Sequence, residues 1–229
     1  MQLKKIIQSV LVISALFTGL VSCTGIITKT KDVPQSNTAI VETKSGKLQG
    51  SINDNIFTYL GVPYAEAIER FVPAKEVKSW DGIRKADTYG AMSPQGAILG
   101  MPINGDETGK DNNSQNLNIW TPGIADRKKR PVMVWLHGGG FSVGTANNAV
   151  TNGKNLSQSG DVVVVSVNHR LNIFGHLDLS AYGEKYKYSS NVGIMDIVAA
   201  LKWIQNNIKE FGGDPNNVTV FGESGGGAK

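Results

Sequence analysis

Among 229 residues there is a single cysteine, Cys23. That scarcity excludes an internal disulfide framework and any zinc site built on several cysteines. No apolar run reaches the ~20 residues a membrane-crossing helix needs. The longest, the 16 residues from Ile6 to Val21, is softened by Gln8, Ser9, Ser14 and Thr18. The formal charge of +4 falls to +2 once Lys4 and Lys5 are set aside, and no basic patch calls for nucleic acid. No segment repeats at a fixed period. Histidine is scarce too, with only His137, His169 and His176. Glycine, in contrast, is abundant: 27 of 229 residues, or about 12 % against a usual ~7 %. Without a three-residue period this means many turns and close backbone approaches, the habit of an α/β enzyme. The 40 % hydrophobic and 18 % charged content is globular, and excludes a disordered tail, a collagen-like fibre or a multi-span membrane protein.

The first 22 residues read as a secretory signal, with a short positive start at Met1–Lys5 followed by the apolar stretch. Its end, Leu20-Val21-Ser22-Cys23, resembles the bacterial lipobox, in which the signal is cut before a cysteine that receives a diacylglyceryl group on sulfur and an acyl group on its amine. Two or more chains anchor stably where one does not. The expectation is an exported protein of the bacterial cell envelope, held to a membrane by a lipid at Cys23. Residues 23–38 are polar, carry Pro34 and lack periodicity, as suits a tether. The folded part then spans 39–229.

From Ala39 short apolar runs alternate with turns. Ala39-Ile40-Val41, Lys47–Ser51 and Ile56–Leu60 predict small antiparallel strands, with a turn at Ser45-Gly46. Val132–Leu136 and Val162–Val167 are nearly continuous, β-branched and bounded by glycine, as strands buried on both faces require. Val218–Phe221 is a shorter run of the same kind. Between the last two, Ile194, Ile197, Val198, Leu201, Ile204 and Ile208 recur at three- and four-residue steps and predict a helix. Asn191 is placed to cap it, and Gly212-Gly213-Asp214-Pro215 to end it. Strand, helix and strand in this order imply a parallel sheet.

Two glycine motifs follow these strands. Gly222-Glu223-Ser224-Gly225-Gly226 has the Gly-x-Ser-x-Gly spacing of a nucleophile elbow, where a serine sits on a strained strand-to-helix turn and larger side chains at the flanking glycines would collide with backbone. His137-Gly138-Gly139-Gly140-Phe141 follows Val132–Leu136, and three glycines there let amide N–H groups face a ligand without interference from Cβ atoms, as an oxyanion hole requires. A phosphate-binding loop is the competing reading of the first motif. It needs lysine directly after the second glycine, and Ala228 stands there.

With these motifs, the chain resembles the type-B carboxylesterases of the α/β-hydrolase fold, the group similar to bacterial p-nitrobenzyl esterases and cholinesterases. Gly61-Val62-Pro63-Tyr64-Ala65, Arg70-Phe71, Leu117-Asn118-Ile119-Trp120, Asn168-His169-Arg170-Leu171 and Asn191-Val192-Gly193 stand where that family carries similar segments. The run Phe211–Ser224 is the longest agreement. The resemblance implies an α/β-hydrolase with a predominantly parallel sheet and small N-terminal antiparallel strands, ending after the elbow. It implies that Ser224 attacks an ester carbonyl through an acyl-enzyme, and that Gly139, Gly140 and Gly225 supply the oxyanion donors. It implies structural roles for Glu223 and His137, a small-molecule ester substrate, and no metal or organic cofactor. The family's Ser-Glu-Asp-Cys-Leu stands here as Asp111-Asn112-Asn113-Ser114-Gln115, which removes a disulfide that some relatives form and the acidic pair with it.

In this fold the acid and the histidine of the triad follow the serine, whereas all three histidines here precede Ser224. The expectation is a chain that is by itself nearly inactive and that tends to aggregate along an open parallel edge. An alternative of another class is a catalytically inactive, lipid-anchored binding protein of the same fold.

Overall fold

The computed structural model describes residues 38–96, 111 and 113–229. The segment expected to be a leader, Cys23 and the expected tether up to residue 37 lie outside the described residues. Among the described residues nine strands form two sheets. A small one has the order β1-β2-β5, from β1 (Ile40–Thr43), β2 (Gly46–Gln49) and β5 (Ile83–Lys85). The larger has six strands in the order β3-β4-β6-β8-β7-β9, from β3 (Ser51–Asn53), β4 (Ile56–Pro63), β6 (Asn116–Thr121), β7 (Arg130–Leu136), β8 (Val163–Val167) and β9 (Gly213–Gly222). Its β3-β4-β6-β8 half is antiparallel, and its β8-β7-β9 half is parallel. The molecule is therefore an α/β fold, and its parallel half carries both glycine motifs.

The parallel half forms where the sequence is apolar without interruption. Val163 to Val167 are all buried, so β8 makes no use of alternation. β4 runs longer than its apolar run suggests, through a bulge between Tyr59 and Val62. Gly61, at φ 64, supplies the left-handed residue of that bulge, and its amide donates to Asn118 Oδ1 at 2.9 Å. β6 lies at the centre of the sheet with all six residues buried, yet the sequence does not announce it as a strand. Asn116 and Asn118 interrupt its apolar pattern, and each is buried because partners await it. Asn118 Nδ2 donates to Ser166 Oγ at 3.1 Å and Asn116 Nδ2 to the Ala91 carbonyl at 2.7 Å. Satisfied polar groups of this kind are compatible with a core; unsatisfied ones are not.

Three α-helices are described: α1 (Lys154–Gly160), α2 (Asn172–His176) and α3 (Val192–Asn207). α1 has no apolar stripe and was not legible as a helix. α3 is the periodic helix, with two corrections. Its inward face is Ile197, Ala200, Trp203 and Ile204, whereas Val198 is 45 % exposed and faces away. Small Ala200 lets the helix approach the sheet, a contact that counting only large aliphatic residues overlooks. Asn191 stands at the N-cap, but its side chain makes no capping hydrogen bond. Gly212, at φ 78, closes the turn after the helix as expected of a left-handed cap.

β9 pairs with β7 alone among the described strands and ends the sheet, with Val220 45 % exposed. No helix of the described residues is long and apolar enough to cross a membrane.

One buried ion pair ties α3 to the segment after β8. Arg170 Nη2 lies 2.7 Å from Asp196 Oδ1 and Arg170 Nε 2.8 Å from Oδ2, with Gln115 Nε2 donating to Oδ2 at 3.0 Å. Breaking such a pair from one side strands a buried charge. We expect Asp196→Leu to lower unfolding free energy by about 3–5 kcal/mol, and adding Arg170→Met to recover part of that. Urea titrations of the two variants check it; equal losses in the single and double variants would contradict it.

Candidate active site

The strand β9 delivers Glu223 in extended conformation, and Ser224 then turns to φ 51, a left-handed value for a non-glycine residue. The turn Ser224–Gly226 closes through Gly226 N–H donating to the Glu223 carbonyl at 2.8 Å and Gly227 N–H to the Ser224 carbonyl at 3.0 Å. Its sharpness is possible because backbone touches backbone. A Cβ on Gly222 would stand 2.5 Å from the Gly226 carbonyl carbon and 2.7 Å from the Leu136 oxygen, and one on Gly226 would fall on Leu136 O. Both glycines of the motif are thus required by contact. Ser224 is exposed at the tip.

The glycine loop after β7 meets this turn from the neighbouring strand. Gly139 and Gly140 adopt φ 91 and 64, and a Cβ on Gly225 would fall on the Cα and carbonyl of Gly140. The amides of Gly139, Gly140 and Gly225 donate to no backbone carbonyl of the described loops and turns, and amides left in this way are able to receive an anionic oxygen. Glu223 is solvent-exposed, with its carboxylate packed against Gly138.

Beneath the loop, His137 and His169 stack with ring centres 4.9 Å apart and planes 8° from parallel. His137 Nδ1 lies 2.9 Å from the Gly138 carbonyl and His169 Nδ1 3.0 Å from the Arg170 carbonyl, while both Nε2 atoms are buried without a partner. Burial, then the nearby Lys229 ammonium, lowers the His137 pKa to about 4. Burial, then His137, takes that of His169 well below its ordinary value. Both rings are therefore neutral at pH 7. None of the three histidines hydrogen-bonds Ser224; His176 sits edge-on to Phe141 at 5.4 Å instead.

The loop is braced from behind by an asparagine cluster that the sequence shows only as a segment of the resemblance. Asn168 Oδ1 accepts from Ala146 N–H at 2.8 Å and from Thr145 Oγ1 at 3.1 Å, and Asn168 Nδ2 donates to Asn116 Oδ1 at 3.0 Å. The available signal was a polar triplet, Asn168-His169-Arg170, directly after a fully apolar strand. At the position of the lost acidic pair, Asn113 Oδ1 accepts from Ala67 N–H at 3.0 Å. Ser114, in the place of cysteine, is buried with its hydroxyl unpartnered.

This fold and site define an α/β-hydrolase. Residues 37–229 match the carboxylesterase family, and the chain belongs to it. It is 39 % identical over 191 residues to the para-nitrobenzyl esterase of Bacillus subtilis (strain 168), covering 82 % of this chain and 38 % of that protein. It is 38 % identical over 193 residues to the phenmedipham hydrolase of Pseudarthrobacter oxydans, again with 82 % and 38 % covered. Among solved structures, a Clostridium hathewayi esterase superposes with a TM-score of 0.78 at 46 % identity, over 84 % of this chain and 39 % of that one. The chain thus spans 38 % of the length of these two curated relatives.

Two outcomes follow from the geometry. Glycine meets no steric penalty at φ 51, so Ser224→Gly should gain about 1 kcal/mol of stability in chemical denaturation; a loss would mean that the turn is not strained. Acid should destabilise the chain through His137. Between the unfolded pKa of 6.5 and the folded value of about 4 the unfolded state binds the extra proton, so stability falls as pH falls, by up to ~1.4 kcal/mol per pH unit. His137→Gln should flatten part of that slope in urea titrations between pH 7 and 5, and parallel slopes would contradict it.

Proposed function

We propose that this chain carries the nucleophile and the oxyanion-stabilising half of a serine carboxylesterase. Ser224 Oγ bonds to the carbonyl carbon of a small carboxylic ester, and the carbonyl π electrons move onto its oxygen. The amides of Gly139, Gly140 and Gly225 receive that oxyanion. When it collapses, the alcohol leaves with the proton surrendered by Ser224, and water then releases the acid from the acyl-enzyme. Each donor of this kind is typically worth roughly 10²–10³ in rate. The observation that carries the reading is the exposed Ser224 at φ 51 beside three amides that donate to no backbone carbonyl of the described loops and turns.

The proton needs a base and an orienting acid. In this fold they follow the serine, and no histidine of the 229 residues does. On its own the chain therefore retains only what binding and the oxyanion donors give, ~10³–10⁴ over water. The name of one relative, a para-nitrobenzyl esterase, favours a small aromatic ester as first substrate. The lipobox-like Leu20–Cys23 favours export and a lipid anchor at Cys23.

The test is hydrolysis of p-nitrophenyl butyrate by the protein expressed through to the stop codon of its reading frame. Ser224→Ala should lower turnover by at least 10⁴-fold. Hydrolysis that survives Ser224→Ala would refute the assignment.

A further inference from the structure

The end of the sheet opposite Ser224 holds a concave site. β7 carries the glycine loop at its C-terminal end, so the turn that precedes Arg130 lies about 20 Å away at the ~3.3 Å rise of a strand. There a cavity of about 450 Å³ opens between the β6–β7 turn and the segment entering β9, a volume within the range of small-ligand sites. Four cations line it, Arg127, Lys128, Lys129 and Lys209, against two carboxylates, Glu210 and Asp214. Lys128 lies 3.7 Å from Asp161. Arg127, Lys129 and Lys209 form no ion pair among the described residues. Asp214 Oδ1 is engaged by the Asn216 amide at 2.9 Å.

Both walls of the cavity are fastened to one buried residue. Arg130, 4 % exposed, bonds Asp126 through Nη1 at 3.1 Å and Nη2 at 2.5 Å, and Asp161 through Nε at 2.7 Å. Its Nη1 also reaches the Gly123 carbonyl at 3.2 Å, and its backbone N–H donates to the Gly212 carbonyl at 3.0 Å. The turn so held is strained: Ala125 at φ 55 and Arg127 at φ 58 flank Asp126, both non-glycine residues in the left-handed region. Each such residue costs of order 1–3 kcal/mol and persists where its surroundings over-determine it. Here the forked Arg130–Asp126 contact does so, far from the ester chemistry. The outcome is a braced turn that brings Arg127 and Lys129, with Lys209 from the other wall, to one cavity as exposed cations without ion-pair partners among the described residues.

We propose that this cavity binds a phosphate-bearing anion between Arg127, Lys129 and Lys209. The guanidinium of Arg127 offers the paired N–H donors that match phosphate oxygens, and the two lysines add point charges. Several unpaired cations suit a multiply charged phosphate better than a single carboxylate. The site is independent of the esterase reading.

The experiment is calorimetric titration of the protein, expressed through to the stop codon of its reading frame, with inorganic pyrophosphate, together with sedimentation against phosphatidylcholine vesicles with and without phosphatidic acid. The variants are Arg127→Gly, which relieves φ 58 while removing the cation, and Lys209→Ala. Saturable pyrophosphate binding that weakens at least tenfold in each variant supports the site as one for a free phosphate. Binding only to phosphatidic acid vesicles, with the same sensitivity, supports it as one for a lipid headgroup. No binding of either probe, or binding that both variants leave unchanged, overturns it. Ser224→Ala should bind as the parent does, so the outcome here is separate from that of the esterase assignment.

Discussion

The site rests on a steric condition: two backbones must touch where a side chain would ordinarily keep them apart. Gly222 and Gly226 pack against each other and against Leu136, and Gly225 packs against Gly140. Those contacts bend the chain tightly enough to hold Ser224 at φ 51. They also bring the loop after one parallel strand against the turn after its neighbour. Without them Ser224 and the amides of Gly139 and Gly140 would belong to two unrelated loops. This arrangement is a consequence of missing Cβ atoms more than of any attractive contact.

The surroundings convert that condition into a stable arrangement with buried polar groups. Asn168 accepts from the Ala146 amide, Asn118 accepts from the Gly61 amide of the β4 bulge, and Asn116 accepts from Asn168, and the Arg170–Asp196 pair fastens α3 behind them. The neutral stack of His137 and His169 fills the space under the loop. The asparagines and the ion pair are costly to bury alone and tolerable because their partners are already in place. Elsewhere in the same sheet, Arg130 does for the opposite end what the asparagines do for the site, joining two segments through one buried side chain.

Where physics leaves a one-dimensional trace, the sequence was readable. Continuous valines marked β8, three- and four-residue spacing marked α3, and glycines after strands marked both halves of the site, because each of these follows from a local period or a local steric need. The family resemblance then tied the two glycine motifs together. What escaped depended on partners distant in sequence. β6 hid because its buried asparagines are satisfied by distant partners such as Ala91 and Ser166, 25 and 48 positions away. The orientation of α3 turned on Ala200, whose smallness matters only against the sheet. The strain at Ala125 and Arg127 has no sequence signature, since neither is a residue that favours a positive φ.

The most direct measurement is a structure of the protein, expressed through to the stop codon of its reading frame, with Ser224 phosphonylated by a small fluorophosphonate, a stable imitation of the tetrahedral adduct. The account places the non-ester phosphonyl oxygen 2.7–3.1 Å from the amide nitrogens of Gly139, Gly140 and Gly225, with the turn at Ser224 unchanged. An adduct whose oxygen faces solvent, with those amides turned to other acceptors, would contradict it.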